Sequence, residues 1–459
     1  MTSRRAAFGI FLSIVGARFA RADDTHYQDY LVGGRAVVLG GAFTAIADDP
    51  SGIYYNPAGI ADERHSSLQV STSLYGFERS SIDQRLGLPV PGVENLEYKR
   101  FTELIVIPAS AGFISGFGPK NDNGQHTQAY GVSVMVPSYR SFSTSFTGRL
   151  ENSTGDAAYL RRVTDRELWS GAGWAIRLGD KLRLGLSGYY ILRSVADRED
   201  VTVHRPIAGG DTERFDLVTN DVSFTNGNVC LIGGAKYRLL PELSVGLSVQ
   251  SPSLQAHSNA SLAFSRAVSD PDASPPASTF DRLTLTNARS ETHYGWVVRA
   301  GTAYVRTFKY TLAADVSYHA PVSYTLIDVA PEYRQRLPFN PEVRRRGVMN
   351  FNAGGEFLVV REVSIGAGVF SNFSTAPAIP KTPNDDYQPH VNLYGLSMTL
   401  GYFGEYTLSR LGVVYSFGHG SDVIPASDID RVLNDQQGFK RVSYAQSFFY
   451  AFLSSTFRY

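Results

Sequence analysis

The sequence predicts an all-β fold, a transmembrane antiparallel β-barrel of about 14 strands, and three observations carry that prediction. From Ser66 onward, apolar and polar residues alternate with the period of a strand that is apolar on one face. Short turns and long polar connections also alternate along the chain, the asymmetry of outer-membrane barrels. Finally, beyond Ala22 there is no uncharged apolar run of about 18 residues or more, the length of a membrane helix. If the mature chain lies in a membrane, only a closed barrel remains, because a bilayer offers unpaired backbone groups no partner. A soluble sandwich alternates as well, so connection lengths decide where periodicity cannot.

The totals agree with this class. The 459 residues include 26 Tyr, 27 Phe, 43 Gly and a single cysteine, Cys230, a tyrosine-rich and turn-rich composition with no internal disulfide. Basic and acidic residues balance at 43 each. The leader contains Arg4, Arg5, Arg18 and Arg21, so its removal leaves 39 basic against 43 acidic residues, and nucleic acid is not an expected partner.

Residues 1–22 read as a signal peptide: Arg4-Arg5, an apolar stretch from Ala6 to Ala17, then Ala20-Arg21-Ala22 as an A-x-A cleavage site. The segment 23–65 is neither strand nor long helix. Its pairs Gly33-Gly34 and Gly40-Gly41 allow tight turns and close approach to neighbours. The apolar run Ala42 to Ala47 has room for one or two helical turns before Asp48-Asp49-Pro50 stops it. Tyr54-Tyr55-Asn56-Pro57-Ala58-Gly59 then sets two aromatics against a turn, with Pro57 holding Asn56 away from helical angles.

Residues 66–459 read as the barrel, with strands beginning near residues 66, 101, 127, 162, 181, 221, 242, 283, 309, 348, 362, 390, 405 and 446. The alternation is plain in Leu182, Leu184, Leu186, Tyr190 against Arg183, Gly185, Ser187, Tyr189, and in Leu312, Ala314, Val316, Tyr318 against Thr311, Asp315, Ser317, His319. Leu178-Gly179-Asp180-Lys181, Leu240-Pro241-Glu242, Val360-Arg361-Glu362 and Phe403-Gly404-Glu405 are the short turns, and the longest connection runs from about Gly418 to Val442. The 116–126 turn is long for its side, and Tyr139 to Phe146 can extend a strand into the 138–160 loop. Of the 22 prolines, Pro108, Pro252 and Pro321 fall well inside strands, where a missing donor marks an edge, bulge or kink. In the twelfth strand the apolar parity slips from Val391, Leu393 to Leu396, Met398, Leu400 across Tyr394-Gly395, which predicts a bulge. The last strand carries Phe449, Ala451, Leu453, Ser455, Phe457 and Tyr459 on one face, similar to the terminal signal read by the barrel-assembly machinery. An even strand count returns the chain to its starting side, so both termini are expected in the periplasm.

Catalytic chemistry has no footing in the sequence. The nine histidines are scattered singly, and HExxH, GxSxG and paired CxxC motifs do not occur, so neither an enzyme nor a cofactor is expected. Asn121-Asp122-Asn123-Gly124 and Asn384-Asp385-Asp386 lack the later ligands of a cation loop and read as solvated turns, so no metal is assigned.

The stretch Gly33 to Ala61, GGRAVVLGGAFTAIADDPSGIYYNPAGIA, resembles the amino-terminal signature of the outer-membrane FadL/TodX family of transporters for fatty acids and other hydrophobic compounds, with YYNPAG the specific part. The resemblance implies a plug, or hatch, inside a fourteen-stranded barrel, with Gly33, Gly34, Gly40, Gly41, Asp48, Asp49, Asn56, Pro57 and Ala58 in the plug motif. It also implies passive uptake and sideways release through a gap made by a kink in the third strand, by position Gln128 to Val136, before Pro137. That strand alternates cleanly, so its residues alone do not require a kink. A related PorV-like branch keeps a similar plug and serves protein secretion, so surface interaction is the alternative function. The expected partners are a fatty acid or hydrocarbon, outer-membrane lipid and lipopolysaccharide, and the assembly machinery; the barrel is expected to be a monomer.

On the polar parity, Arg183, Arg193, Arg299, Asp315 and His319 are candidate lumen residues that hold the plug, meet a ligand carboxylate or pair with one another. Arg35, Asp48 and Asp49 of the plug are natural counter-charges, because charge in a narrow lumen is costly unless paired. Asn56 is expected to bridge plug and wall, and Pro57 to fix the turn.

Overall fold

The computed structural model describes residues 25–63, 65–82, 107–121, 124–149, 156–206, 213–271, 277–330, 341–383, 387–425 and 439–459. The leader, Asp122, Asn123 and the 384–386 turn lie outside these residues. Fourteen antiparallel strands close into a barrel. In chain order they are β1 (Ser67–Ile82), β2 (Ile107–Lys120), β3 (His126–Met135, resuming at Tyr139–Arg149), β4 (Asp156–Leu178), β5 (Leu182–Pro206) and β6 (Glu213–Arg238). Then come β7 (Leu243–Gln250, resuming at Leu254–Asp270), β8 (Ala277–Ser290, resuming at Val297–Arg306), β9 (Tyr310–His319) and β10 (Val348–Val360). The last four are β11 (Val363–Asn372), β12 (His390–Phe403), β13 (Thr407–Pro425) and β14 (Phe439–Arg458). β14 closes on β1, from Ser67 opposite Arg458 to Ile82 opposite Tyr444.

Alternation governs which way each side chain points. On β5, Leu184, Leu186 and Tyr190 face outward, while Arg183, Ser187 and Arg193 are buried toward the lumen. Higher on the same strand the outward positions become Ser194, Ala196, Arg198 and Asp200. Strands that start at the short-turn end begin within two residues of the expected positions. At the other end β4, β6, β8 and β14 begin six to eight residues earlier than expected, because their ladders continue above the apolar girdle, where alternation no longer marks them. The first expected residues of β2, 101–106, lie outside the described residues.

Among the described residues, three strands are interrupted. β3 breaks at residues 136–138 and resumes, so part of the expected 138–160 loop is strand. β7 breaks at 251–253, around Pro252, and β8 at 291–296. Pro108 lies where the β1–β2 register shifts. The bulge expected at Tyr394-Gly395 does not exist: β12 keeps one continuous register against both β11 and β13. The parity slip has another cause: Val391 and Leu393 point inward and are buried, whereas Leu396, Met398 and Leu400 face outward.

Residues 25–62 fill the lumen. They contain the short helices α1 (Gly34–Val38) and α2 (Gly52–Tyr55) and a 3₁₀ turn over Pro57–Asp62. Their Leu39, Phe43, Ile46, Ile53 and Tyr54 form one buried cluster with the wall residues Ile114, Met135, Trp169, Tyr189, Ile191 and Ile232. Toward the long-loop end a second cluster joins Val218, Phe224, Leu262 and Phe264 of the wall to Tyr324, Leu326 and Ile327, which follow β9.

Candidate functional site

The plug turns where its glycines allow. Gly40 and Gly41 have φ of 60° and 89°, and at Gly40 a Cβ would stand 2.7 Å from the Val369 nitrogen of β11. The wall yields in return. A Cβ on Gly354 would overlap the main chain of Leu39, one on Gly368 that of Gly40, one on Gly185 that of Pro57 and Ala58, and one on Gly246 that of Thr44. These glycines are recesses in the inner face that seat the plug backbone directly.

Polar bonds then fix its position. Asn56, fully buried, donates from Nδ2 to the Thr44 carbonyl of the plug at 2.8 Å and to the Ala235 carbonyl of β6 at 3.0 Å. Its Oδ1 accepts the Ala58 N–H at 3.2 Å, and Pro57 opens the 3₁₀ turn at a position that needs no donor. Asp315 of β9 accepts the N–H groups of Phe43 and Thr44, both at 2.8 Å, through one oxygen. At the short-turn end Asp62 meets Arg183 at 2.8 Å, Lys236 at 2.9 Å, Arg177 at 3.3 Å and Arg238 at 3.8 Å. Burial raises the pKa of Asp62, but Lys236 and Arg183 lower it further, so its carboxyl titrates well below the usual range. Asp49 behaves oppositely: burial outweighs its bonds from Ser51 and Gln69 and raises its pKa.

The other candidates divide between plug and wall. Arg35 pairs with Asp48 inside the plug, and its Nε lies 3.9 Å from Glu356, which Arg410 also holds at 3.2 Å. The Arg299 guanidinium stands 4.9 Å over the Tyr54 ring, and His319 stacks on Tyr27 at 4.6 Å. Arg193 grips Asp165 of β4 at 2.7 Å and approaches Glu167 at 3.9 Å. Arg299, Asp315 and His319 line one polar cavity of about 60 Å³ with Tyr27, Asn350 and Asn352, room for a few waters at roughly 10–15 Å³ each.

Sequence reasoning missed Asp62, Arg177, Lys236, Glu167 and Tyr294. The first three carry a legible trace, since Arg177 and Lys236 occupy inward parity near short turns and Asp62 follows YYNPAGIA. Glu167 lies on the unbroken β4 beside the break in β3 and Tyr294 lies in the break of β8, and periodicity reveals neither break.

At the break in β3 the Pro137 carbonyl accepts the N–H groups of Asp29 and Tyr30 at 3.0 and 3.1 Å. The Ser138 hydroxyl donates to the Asp29 carboxylate. Plug residues therefore bond the main chain and a hydroxyl of β3 at its interruption.

No protein-family model matches the sequence, and neither does any curated protein. Solved structures do. A FadL homologue of Pseudomonas aeruginosa aligns with a TM-score of 0.58 at 12% identity, covering 94% of this chain and 99% of that one. The toluene transporter TodX of Pseudomonas putida aligns at 0.55 and 13% identity, covering 94% and 99%. The Ralstonia pickettii toluene transporter TbuX gives 0.50 and 12%, covering 93% and 98%. The chain has the fold of the FadL and TodX structures, plug included.

Proposed function

We propose that this protein is an outer-membrane channel for passive uptake of long-chain fatty acids or other hydrophobic compounds, released sideways through the barrel wall. The observation that carries the reading is the break in β3 at residues 136–138, whose Pro137 carbonyl is held by the plug itself. A lumen stopped by a plug leaves no aqueous way through, so a break in the wall that the plug both fills and can vacate is a sideways route. An apolar solute gains from that route, because it passes from lumen to lipid without crossing water. The apolar cluster around Phe224, Leu262 and Leu326 makes the barrel interior apolar on the long-loop side of the plug, the surroundings such a solute favours. The fold likeness to structures described as toluene transporters supports the same class of cargo.

In this reading the short turns face the periplasm and the long loops the exterior. The chain works as a monomer, embedded in outer-membrane lipid and lipopolysaccharide after insertion by the assembly machinery. The candidate site residues act by holding the plug: Asn56, Asp315 and the Asp62 cluster set its resting position.

Uptake of radiolabelled oleate and toluene by a deletion strain, with and without the gene restored, tests the proposal. Restoration should raise the uptake of at least one of them. Equal rates in both strains, with no paralogue expressed, would overturn the channel; co-purification with an exported protein would then favour the secretion role.

A further inference from the structure

The wall contains a second discontinuity. β7 and β8 pair at Gln250 opposite Val297 and again at Ala260 opposite Ala288, and between those pairs they form no ladder. Residues 251–259 of β7 remain paired with β6 for most of this length, so β7 itself stays in the wall. The strand that leaves is β8. Its Ser290 and Thr292 hydroxyls bond Asn226, a buried inward residue of β6, which places this segment behind β7 on the lumen side.

Few bonds close the seam. The Ser253 N–H donates to the Tyr294 carbonyl at 2.9 Å, the Tyr294 N–H to the Ser253 hydroxyl at 3.0 Å, and the Gln255 side chain to the Ser290 carbonyl at 2.5 Å. An unbroken ladder over the same length would supply about nine, roughly one per opposed pair. Alternation also fails there, since Leu254, Ala256, His257 and Asn259 are exposed while Gln255 and Ser258 are half-buried. The rim is apolar toward the girdle, with Leu254 76% and Trp296 52% exposed.

The inward segment is held at its start by a short ladder, Arg289 and Ser290 opposite Asp328 and Ile327, and farther along by the side chain of Tyr294. The Tyr294 hydroxyl donates to Glu167 at 2.7 Å, and its ring meets Trp169, which in turn meets Tyr54 of the plug, at centroid distances of 5.7 and 5.6 Å. The Glu167 N–H donates to the Ser138 carbonyl at 3.0 Å, so this residue touches both wall breaks.

We propose that the β7–β8 seam is a second lateral doorway between lumen and lipid for an apolar, chain-like solute. Residues 290–296 form its leaf and the Tyr294–Glu167 bond its catch, and Tyr54 and Trp169 pass on the position of the plug. The inference rests on the uptake reading, and its test separates the two. In a Cys230→Ser background, Ser253→Cys with Tyr294→Cys places a removable disulfide across the seam. In proteoliposomes given alkyne-tagged dodecanoate, the oxidised protein should transport more slowly than the reduced one by at least about fivefold, the low end of ordinary conformational coupling. Tyr294→Phe, which keeps the ring and removes the catch, should speed transport by up to about fivefold, the effect of one hydrogen bond. Equal rates in the oxidised and reduced forms, with the disulfide confirmed by mass, overturn the doorway and leave the uptake reading standing. If no form transports above protein-free vesicles, the uptake reading fails, and photolabelling decides the doorway. Benzoyl-phenylalanine at Leu254 should then capture the probe saturably, unlike the same group at the outward-facing Leu312; equal, unsaturable capture overturns the doorway.

Discussion

Asn56 uses both ends of its amide, two donors to two carbonyls and one acceptor to an amide, so no smaller side chain replaces it. Asn56→Ala should leave the barrel assembled and loosen the plug, at a cost of about 1–3 kcal/mol for buried groups left without partners. Heat-modifiable gel mobility checks the barrel, and protease protection of residues 25–62 checks the plug. The two acidic anchors should respond in opposite ways. Asp49, whose pKa burial raises, is costly to hold ionised, so Asp49→Asn should keep or increase protection. Asp62 has its pKa lowered in the docked plug, so its contribution is present at neutral pH and is lost as pH falls through the usual carboxyl range, about 4, and below. Asp62→Asn should weaken protection at pH 7 and remove that acid-dependent loss, as proteolysis with an acid-active enzyme would show. The bridging role of Asn56 was legible in sequence, but the partners were not: Arg183 and Asp62, for example, lie 121 positions apart and their meeting depends on the whole barrel.

Strands, by contrast, were largely legible. Lipid outside and a polar lumen inside impose a period of two that survives in single sequences, and short turns fix where each strand starts. What alternation missed is where the environment changes: the ladders above the girdle, the inward apolar residues Val391 and Leu393, and the breaks in β3, β7 and β8. Pro137 and Pro252 were the available signals for two of those breaks. The wall glycines were visible as residues but not as a seat, since nothing local distinguishes a recess from an ordinary small residue. Gly185→Val and Gly368→Val should each expel the plug while leaving the strands paired, because the added atoms meet plug backbone that cannot swing aside. Loss of plug protection with normal gel mobility is the expected pair of results; protection in both variants would show that the seat is looser than the contacts indicate.

At the scale of the molecule, the girdle and the lumen make opposite demands on neighbouring positions. Leu186→Arg puts a charge among the outward residues of β5 and should cost about 2–4 kcal/mol if it lies near the bilayer midplane. Ser187→Ala, one residue on but facing inward, should cost far less, the difference being measured by urea titration of refolding into lipid vesicles. The seating of the plug has a consequence for how the protein forms. Its partners come from both ends of the chain's circuit: Gln69 of the first strand bonds Asp49, and Tyr450 of the last strand bonds Leu31 across 419 positions. Contacts of such separation are late ones, since the intervening chain must be organised before they form. During biogenesis the plug therefore has no complete berth until the first and last strands have met, and its acquisition of protease resistance is a clock that starts at closure.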